Sequence, residues 1–278
     1  MKLGVRAHDL GRMEPFVLAK KLKDVGFETC QLALPKAINA VETIYDVSDR
    51  VLAQVKEAFL ENQVDIGVLG CYMEIGLSYK EARLEEVEKF KRGITHAKEL
   101  SAGIIGTETS NCTALSDKER ESAYQNLKDS VLRMVDFAEQ QGVTIGIEPV
   151  AWHTLNSTEL TRRLLDEVGS KRLKLIFDPV NLIRTKDDIE NQEVIFDEFL
   201  KILGENIAAL HVKDIVFEDG NIIWKNIGKG DIVYGKIFDW LKKNNNDIPV
   251  LREELKEQSA EIDINEMKRL MKGSEGEG

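Results

Sequence analysis

The chain has 278 residues, 42% of them hydrophobic and 31% charged, the balance of an ordinary globular protein with enough apolar residues for a large core. A formal net charge of −11 lacks the basic footprint that sequence-independent nucleic-acid binding needs and is equally ill-suited to an anionic membrane surface. Three widely spaced cysteines (Cys30, Cys71, Cys112) form neither a disulfide framework nor a Cys-x-x-Cys metal site, and Arg6, His8 and Asp9 interrupt the first apolar run. A cytoplasmic setting, without leader or membrane span, is therefore expected.

Taken in chain order, short apolar runs alternate with longer segments of helical period. The runs Leu3–Arg6, Thr29–Leu34, Asp65–Leu69, Gly103–Gly106, Thr144–Glu148, Leu173–Asp178, Ala208–Val212 and Pro249–Arg252 are rich in Ile, Val and Leu, as strands buried on both faces are. Between and after them, Pro15–Val25, Asp49–Asn62, Glu81–Leu100, Asp117–Gln141, Ser157–Val168, Gln192–Leu203, Tyr234–Lys243 and Ile264–Met271 read as helices. Ser116 with Glu119 forms a capping-box pattern, and Gly26 and Gly142 follow helices where a left-handed residue fits. Eight strand–helix units predict an α/β protein, a single (β/α)8 TIM barrel over residues 1–272, with 273–278 as a flexible tail. A Glu-Asp-Gly-Asn turn inside Ile215–Tyr234 predicts a small hairpin over the barrel mouth, a lid. Gly228-Lys-Gly230-Asp is not preceded by a nucleotide-binding strand, so it reads as a turn rather than a phosphate loop.

The active site of such a barrel lies at the C-terminal strand ends. There the later strands carry Glu148, Asp178, His211 with Lys213 and Asp214, and Arg252 with Glu253 and Glu254, each set about one βα unit after the last. Carboxylates converging on one mouth repel unless a cation neutralises them, which points to a divalent metal. Oxygen donors with one imidazole suit Mn²⁺ first, with Mg²⁺, Zn²⁺ or Co²⁺ also accommodated. Singly, each of these residues would more often be a cap or a solvated loop residue; together, in one register, they favour a metal site. His96 lies in a helical pattern and reads as structural.

Glu148-Pro149, Asp178-Pro-Val-Asn181, His211-Val-Lys213-Asp214 and the Glu after the last strand resemble the sugar phosphate isomerase/epimerase family, the xylose isomerase-like barrels that include tagatose 3-epimerase and endonuclease four. Gly70-Cys71-Tyr72 and Gly106-Thr-Glu108-Thr support the same resemblance over nearly the whole chain. It implies Glu148, Asp178, His211 and Glu253 as metal ligands, alignment of the strand end favouring Glu253 over Glu254. It further implies Glu148 and Glu253 as the catalytic pair that moves a carbon-bound proton through a metal-stabilised enediolate. His153, Lys213, Trp152 and His8 would contact a sugar or sugar phosphate substrate, with His8 and His153 evenly balanced against a structural role and Lys213 against a salt bridge with a neighbouring carboxylate. Asn181 departs from the pattern, since many members carry histidine there, and this puts a second metal and the usual substrate contact at that position in question. The resemblance thus implies an isomerase or epimerase, with an inosose-type dehydratase or a non-catalytic sugar-binding barrel as alternatives, and pairing as a homodimer. A three-zinc nuclease is disfavoured because the chain has only four histidines.

Overall fold

The computed structural model describes residues 1–218, 221–244 and 247–272. Eight strands close into a parallel barrel: β1 (Lys2–Arg6), β2 (Thr29–Leu32), β3 (Asp65–Gly70), β4 (Ile104–Glu108), β5 (Ile145–Glu148), β6 (Leu173–Phe177), β7 (Ile207–Val212) and, after a hairpin of β8 (Asp214–Glu218) and β9 (Asn221–Lys225), β10 (Pro249–Arg252). The spatial order is β1-β10-β7-β6-β5-β4-β3-β2, and β1 closes the ring by pairing Lys2 with Pro249 through Val5 with Arg252. The helices are α1 (Pro15–Val25), α2 (Leu34–Ala37), α3 (Asp49–Glu61), α4 (Lys80–Glu99), α5 (Asp117–Gln141), α6 (Thr158–Val168), α7 (Lys186–Glu190), α8 (Gln192–Leu203), α9 (Gly235–Asn244) and α10 (Ala260–Lys272). The fold is the expected (β/α)8 TIM barrel.

Local chemistry explains the boundaries. Pro15 opens α1, where its missing N–H costs nothing, and Gly26 closes it at φ +106°. Ser116 N donates to Glu119 Oε2 at 2.9 Å at the start of α5. Inside the barrel, Val68, Ile104, Ile176, Ala209 and Leu251 form a buried apolar layer. A Cβ at Gly106 or Gly146 would collide with Ile176, so these strands approach the axis only as glycine. This layer floors the mouth and keeps polar groups to the strand ends above it.

The second expected strand stops at Leu32 rather than Leu34, because Pro35 at the second position of α2 turns the chain into one helical turn. The last helix begins at Ala260, earlier than Ile264. The predicted hairpin is present as an antiparallel β8–β9 pair, separate from the barrel sheet. Asp219 and Gly220 of the expected turn and the expected tail at 273–278 lie outside the described residues. Among the described residues, no helix is long and apolar enough to cross a membrane.

Candidate metal centre

Glu148 ends β5, Asp178 follows β6, His211 is the fifth residue of β7, and Glu253 follows β10; all four are buried. Glu148, Asp178 and His211 each offer a ligand atom within 4.8 Å of the others. His211 Nδ1 lies 3.3 Å from Glu148 Oε2 and 3.5 Å from Glu253 Oε1, yet makes no hydrogen bond of acceptable geometry. Its Nε2 meets Gln31 Oε1 at 2.6 Å, and Gln31 in turn donates to the Tyr72 hydroxyl. A buried imidazole nitrogen without a hydrogen bond, aimed at carboxylates, is the arrangement a divalent ion fits.

Glu253 stands beside this trio rather than within it, because the Lys213 ammonium lies between it and Asp178. Lys213 Nζ is 2.8 Å from Asp178 Oδ2, 3.3 Å from Glu253 Oε2 and 2.9 Å from Asn181 Oδ1. Asn181 Nδ2 reaches Glu148 Oε1 at 2.5 Å, so the residue at which the chain departs from the family pattern bridges a carboxylate and the lysine. Asp178 Oδ1 accepts from the backbone N–H groups of Val180 and Asn181, which fixes the plane of its carboxylate. Glu254 turns away at φ +58° to pair with Arg6 at 2.8 Å. That left-handed step lets two consecutive glutamates serve different partners.

The charges perturb one another strongly. Burial alone would lower His211, but Glu253 and Glu148 outweigh it and lift its pKa to about 9. Burial lifts Asp178 to about 6, with Lys213 opposing and Glu148 and Glu253 adding. Burial also opposes ionisation of Glu253, yet His211, Lys213 and Arg6 hold it well below the usual carboxylate range. Lys213 is pulled down by burial and up, by more, by Asp178, Glu253 and Glu148, so it stays protonated.

The expected substrate residues differ in their surroundings. His8, on the turn after β1, has a buried Nδ1 without a hydrogen bond, and burial together with Arg6 and Lys36 depresses its pKa to about 4. His153 lies 3.7 Å by Nδ1 from Glu108 Oε2. Trp152 is half-buried, its carbonyl accepting from Cys112 N. His96 is buried on α4, remote in sequence and element from the mouth.

Three further residues near the mouth were given no role from the sequence, although Glu108 stood in one of the quoted motifs. Glu108 pairs in strand register with Glu148, and burial with Glu148 and Glu253 nearby pushes its carboxyl up to about 7. Gln31 is fully buried in β2. Trp224, on β9, sits over Lys213 with 5.7 Å from Nζ to the ring centroid and keeps 38% of its surface exposed. The Glu-Asp-Gly-Asn turn between two apolar runs predicted a hairpin, but not which ring would overlie the lysine.

The chain is a parallel barrel whose mouth holds a buried Glu–Asp–His group that could hold a metal ion. Residues 19–272 match the model of the xylose isomerase-like TIM barrel family, and the chain belongs to that family. A D-tagatose 3-epimerase-like protein superposes with a TM-score of 0.79 at 18% identity, covering 98% of this chain and 97% of its own. The IOLI protein with a bound zinc atom superposes at 0.73 and 19% identity, covering 98% and 95%. The probable 3-DHS dehydratase AsbF of Bacillus anthracis, involved in petrobactin synthesis, superposes at 0.73 and 18% identity, covering 96% and 98%. No curated protein sequence matches this chain.

Proposed function

We propose that the protein is a divalent-metal-dependent isomerase or epimerase acting on a sugar or sugar phosphate, Mn²⁺ being the first choice of ion. The observation that carries this reading is the His211 Nδ1 atom, buried among Glu148, Asp178 and Glu253 without a hydrogen bond. Glu148, Asp178, His211 and Glu253 would hold the ion, with Lys213 withdrawing from between Asp178 and Glu253. The bound ion supplies Lewis acidity to the carbonyl and hydroxyl oxygens of a ketose.

The protein's own groups supply the rest. Glu253, kept ionised by His211, Lys213 and Arg6, starts as a proton acceptor. Glu148 faces the same imidazole from the other carboxylate position, and Asn181 pins its Oε1, so the pair Glu148 and Glu253 can remove a carbon-bound proton and return it. Lys213, swinging from Asp178, becomes a donor to a substrate hydroxyl or phosphate oxygen. His153, His8 and Trp152 would contact the substrate, Trp152 by stacking on a sugar face. The three free, buried cysteines fit a cytoplasmic setting.

One observation favours a second reading. Glu108, pushed to about 7 and standing 3.7 Å from His153, adds a carboxyl able to protonate a leaving hydroxyl, which an inosose-type dehydratase needs. The two readings separate in one experiment: ketoses are incubated with the Mn²⁺-loaded protein in D₂O and followed by NMR. Deuterium at carbon without loss of oxygen supports the isomerase or epimerase, whereas water loss to an unsaturated ketone supports the dehydratase. Neither change over a broad ketose and cyclitol panel sinks the enzymatic reading and leaves a sugar-binding barrel.

A further inference from the structure

We propose that Gln31 is the positioning residue that sets the ring plane and tautomer of His211 for metal binding; this rests on the metal-centre reading above. β2 is buried along its whole length, and an amide placed there is unfavourable unless both its ends find partners. Gln31 finds them on the site side of the barrel: Oε1 meets His211 Nε2 at 2.6 Å, and Nε2 donates to Tyr72, which is supplied by the segment after β3. The contact bridges residues 180 apart in sequence, across the barrel interior from β2 to β7.

Its meaning follows from which nitrogen faces the carboxylates. Nδ1 is the atom nearest Glu148 and Glu253, so Nδ1 is the ligand atom and must be free of its proton to serve. The remaining proton then belongs on Nε2, and an acceptor must face it. The Gln31 oxygen is that acceptor, and Tyr72 takes the amide N–H₂ so that the oxygen stays turned toward His211. The imidazole is thereby held with Nδ1 toward the carboxylates before any ion arrives, so binding displaces only the Nδ1 proton, the Nε2 proton stays hydrogen-bonded to the Gln31 oxygen, and no ring flip is needed. Partners of this kind, which hold the second nitrogen of a metal-bound histidine, are generally worth 10- to 100-fold in affinity.

The test uses the full chain and Mn²⁺ or Zn²⁺ alone, titrated against a chelator of known affinity. Gln31→Leu keeps the bulk and removes the acceptor; Gln31→Glu keeps an acceptor. The inference expects the metal affinity of the folded protein to fall about 10- to 100-fold in Gln31→Leu and to be restored in Gln31→Glu, with any loss of melting temperature in the metal-free variants measured separately. Tyr72→Phe, which frees the amide to rotate, should weaken binding in the same direction by a smaller factor, and serves as the measure should Gln31→Leu fail to fold. Nitrogen-15 shifts of His211 should report a proton on Nε2 in the loaded protein. Affinity unchanged or raised in Gln31→Leu overturns the inference while leaving the metal centre intact, since a flipped amide would have favoured the wrong tautomer. A wild-type protein that takes up neither ion sinks the metal-centre reading and this inference with it.

Discussion

Lys213 and Asp214 are chain neighbours, as are Arg252 and Glu253, yet in each pair one charge faces the barrel axis and the other a collar outside it. Lys213 and Glu253 join Asp178 and His211 at the mouth. Asp214 instead accepts backbone N–H groups from Ile215, Gly228, Gly230 and Ile232, while Arg252 pairs with Asp263 at 2.7 Å and donates to the Lys225 carbonyl. The collar therefore clamps the base of the hairpin, and a Cβ at Gly230 would collide with the Asp214 carboxylate. Both groups are buried and charged. The difference is satisfaction: the collar's charges are matched by donors and acceptors in place, whereas the inner ring leaves His211 Nδ1 without a hydrogen bond and forces its carboxyl groups to shift one another. Burial with incomplete satisfaction marks chemistry, and burial with full satisfaction marks architecture.

The comparison breaks if both rings respond alike to substitution. The largest effect is expected from Glu148→Gln, which should cut deuterium exchange into a turned-over ketose by about 10³-fold and reduce metal content, with little loss of melting temperature. On the collar, Asp263→Ala leaves Arg252 buried and unpaired and should cost about 3–5 kcal/mol in chemical denaturation while the folded fraction still takes up metal. Loss of metal uptake by the folded collar variant would show that the two rings are not separable.

Acidity sharpens the same contrast. The folded-state pKa of His211 is raised to about 9 from an ordinary 6.5, so its contribution to the stability of the metal-free protein is fully present below about 6.5 and is lost as pH rises through about 9. Melting curves of the metal-free protein should fall across that window, and those of His211→Ala should not show that part of the decline. Metal affinity should move the opposite way, strengthening as pH rises, because binding displaces the Nδ1 proton. The smallest effect is reserved for the hairpin: Trp224→Ala should raise the KM for sugar about tenfold, with metal content unchanged in elemental analysis. An unaltered KM would make the hairpin part of the collar alone.

The fold was legible because its information is periodic: apolar runs and helical patterns repeat eight times, and the capping pair Ser116 and Glu119 stands where α5 begins. Glu148, Asp178 and His211 were legible for a related reason, since a polar residue closing a buried strand stands out against Ile, Val and Leu. Gln31 was not, because Thr-Cys-Gln-Leu carries no motif and its partner lies 180 residues away. Asn181 was read as a departure from a pattern, whereas its bridging of Glu148 and Lys213 depends on two loops meeting in space. The short helices α2 and α7, of four and five residues, fall below the length at which a 3.6-residue period can be recognised.

The pairing of β1 with β10 also governs how the protein comes into being. The register of Lys2 with Pro249 joins segments from opposite ends of the described chain, among the most non-local contacts a barrel contains, and such contacts form late and slowly. On the ribosome β1 waits for its second neighbour until β10 has been made, and its unpaired edge is open meanwhile. Glu253, one residue beyond β10, arrives with the strand that closes the ring. Closure of the barrel and completion of the carboxylate mouth are thus a single event in the life of each molecule.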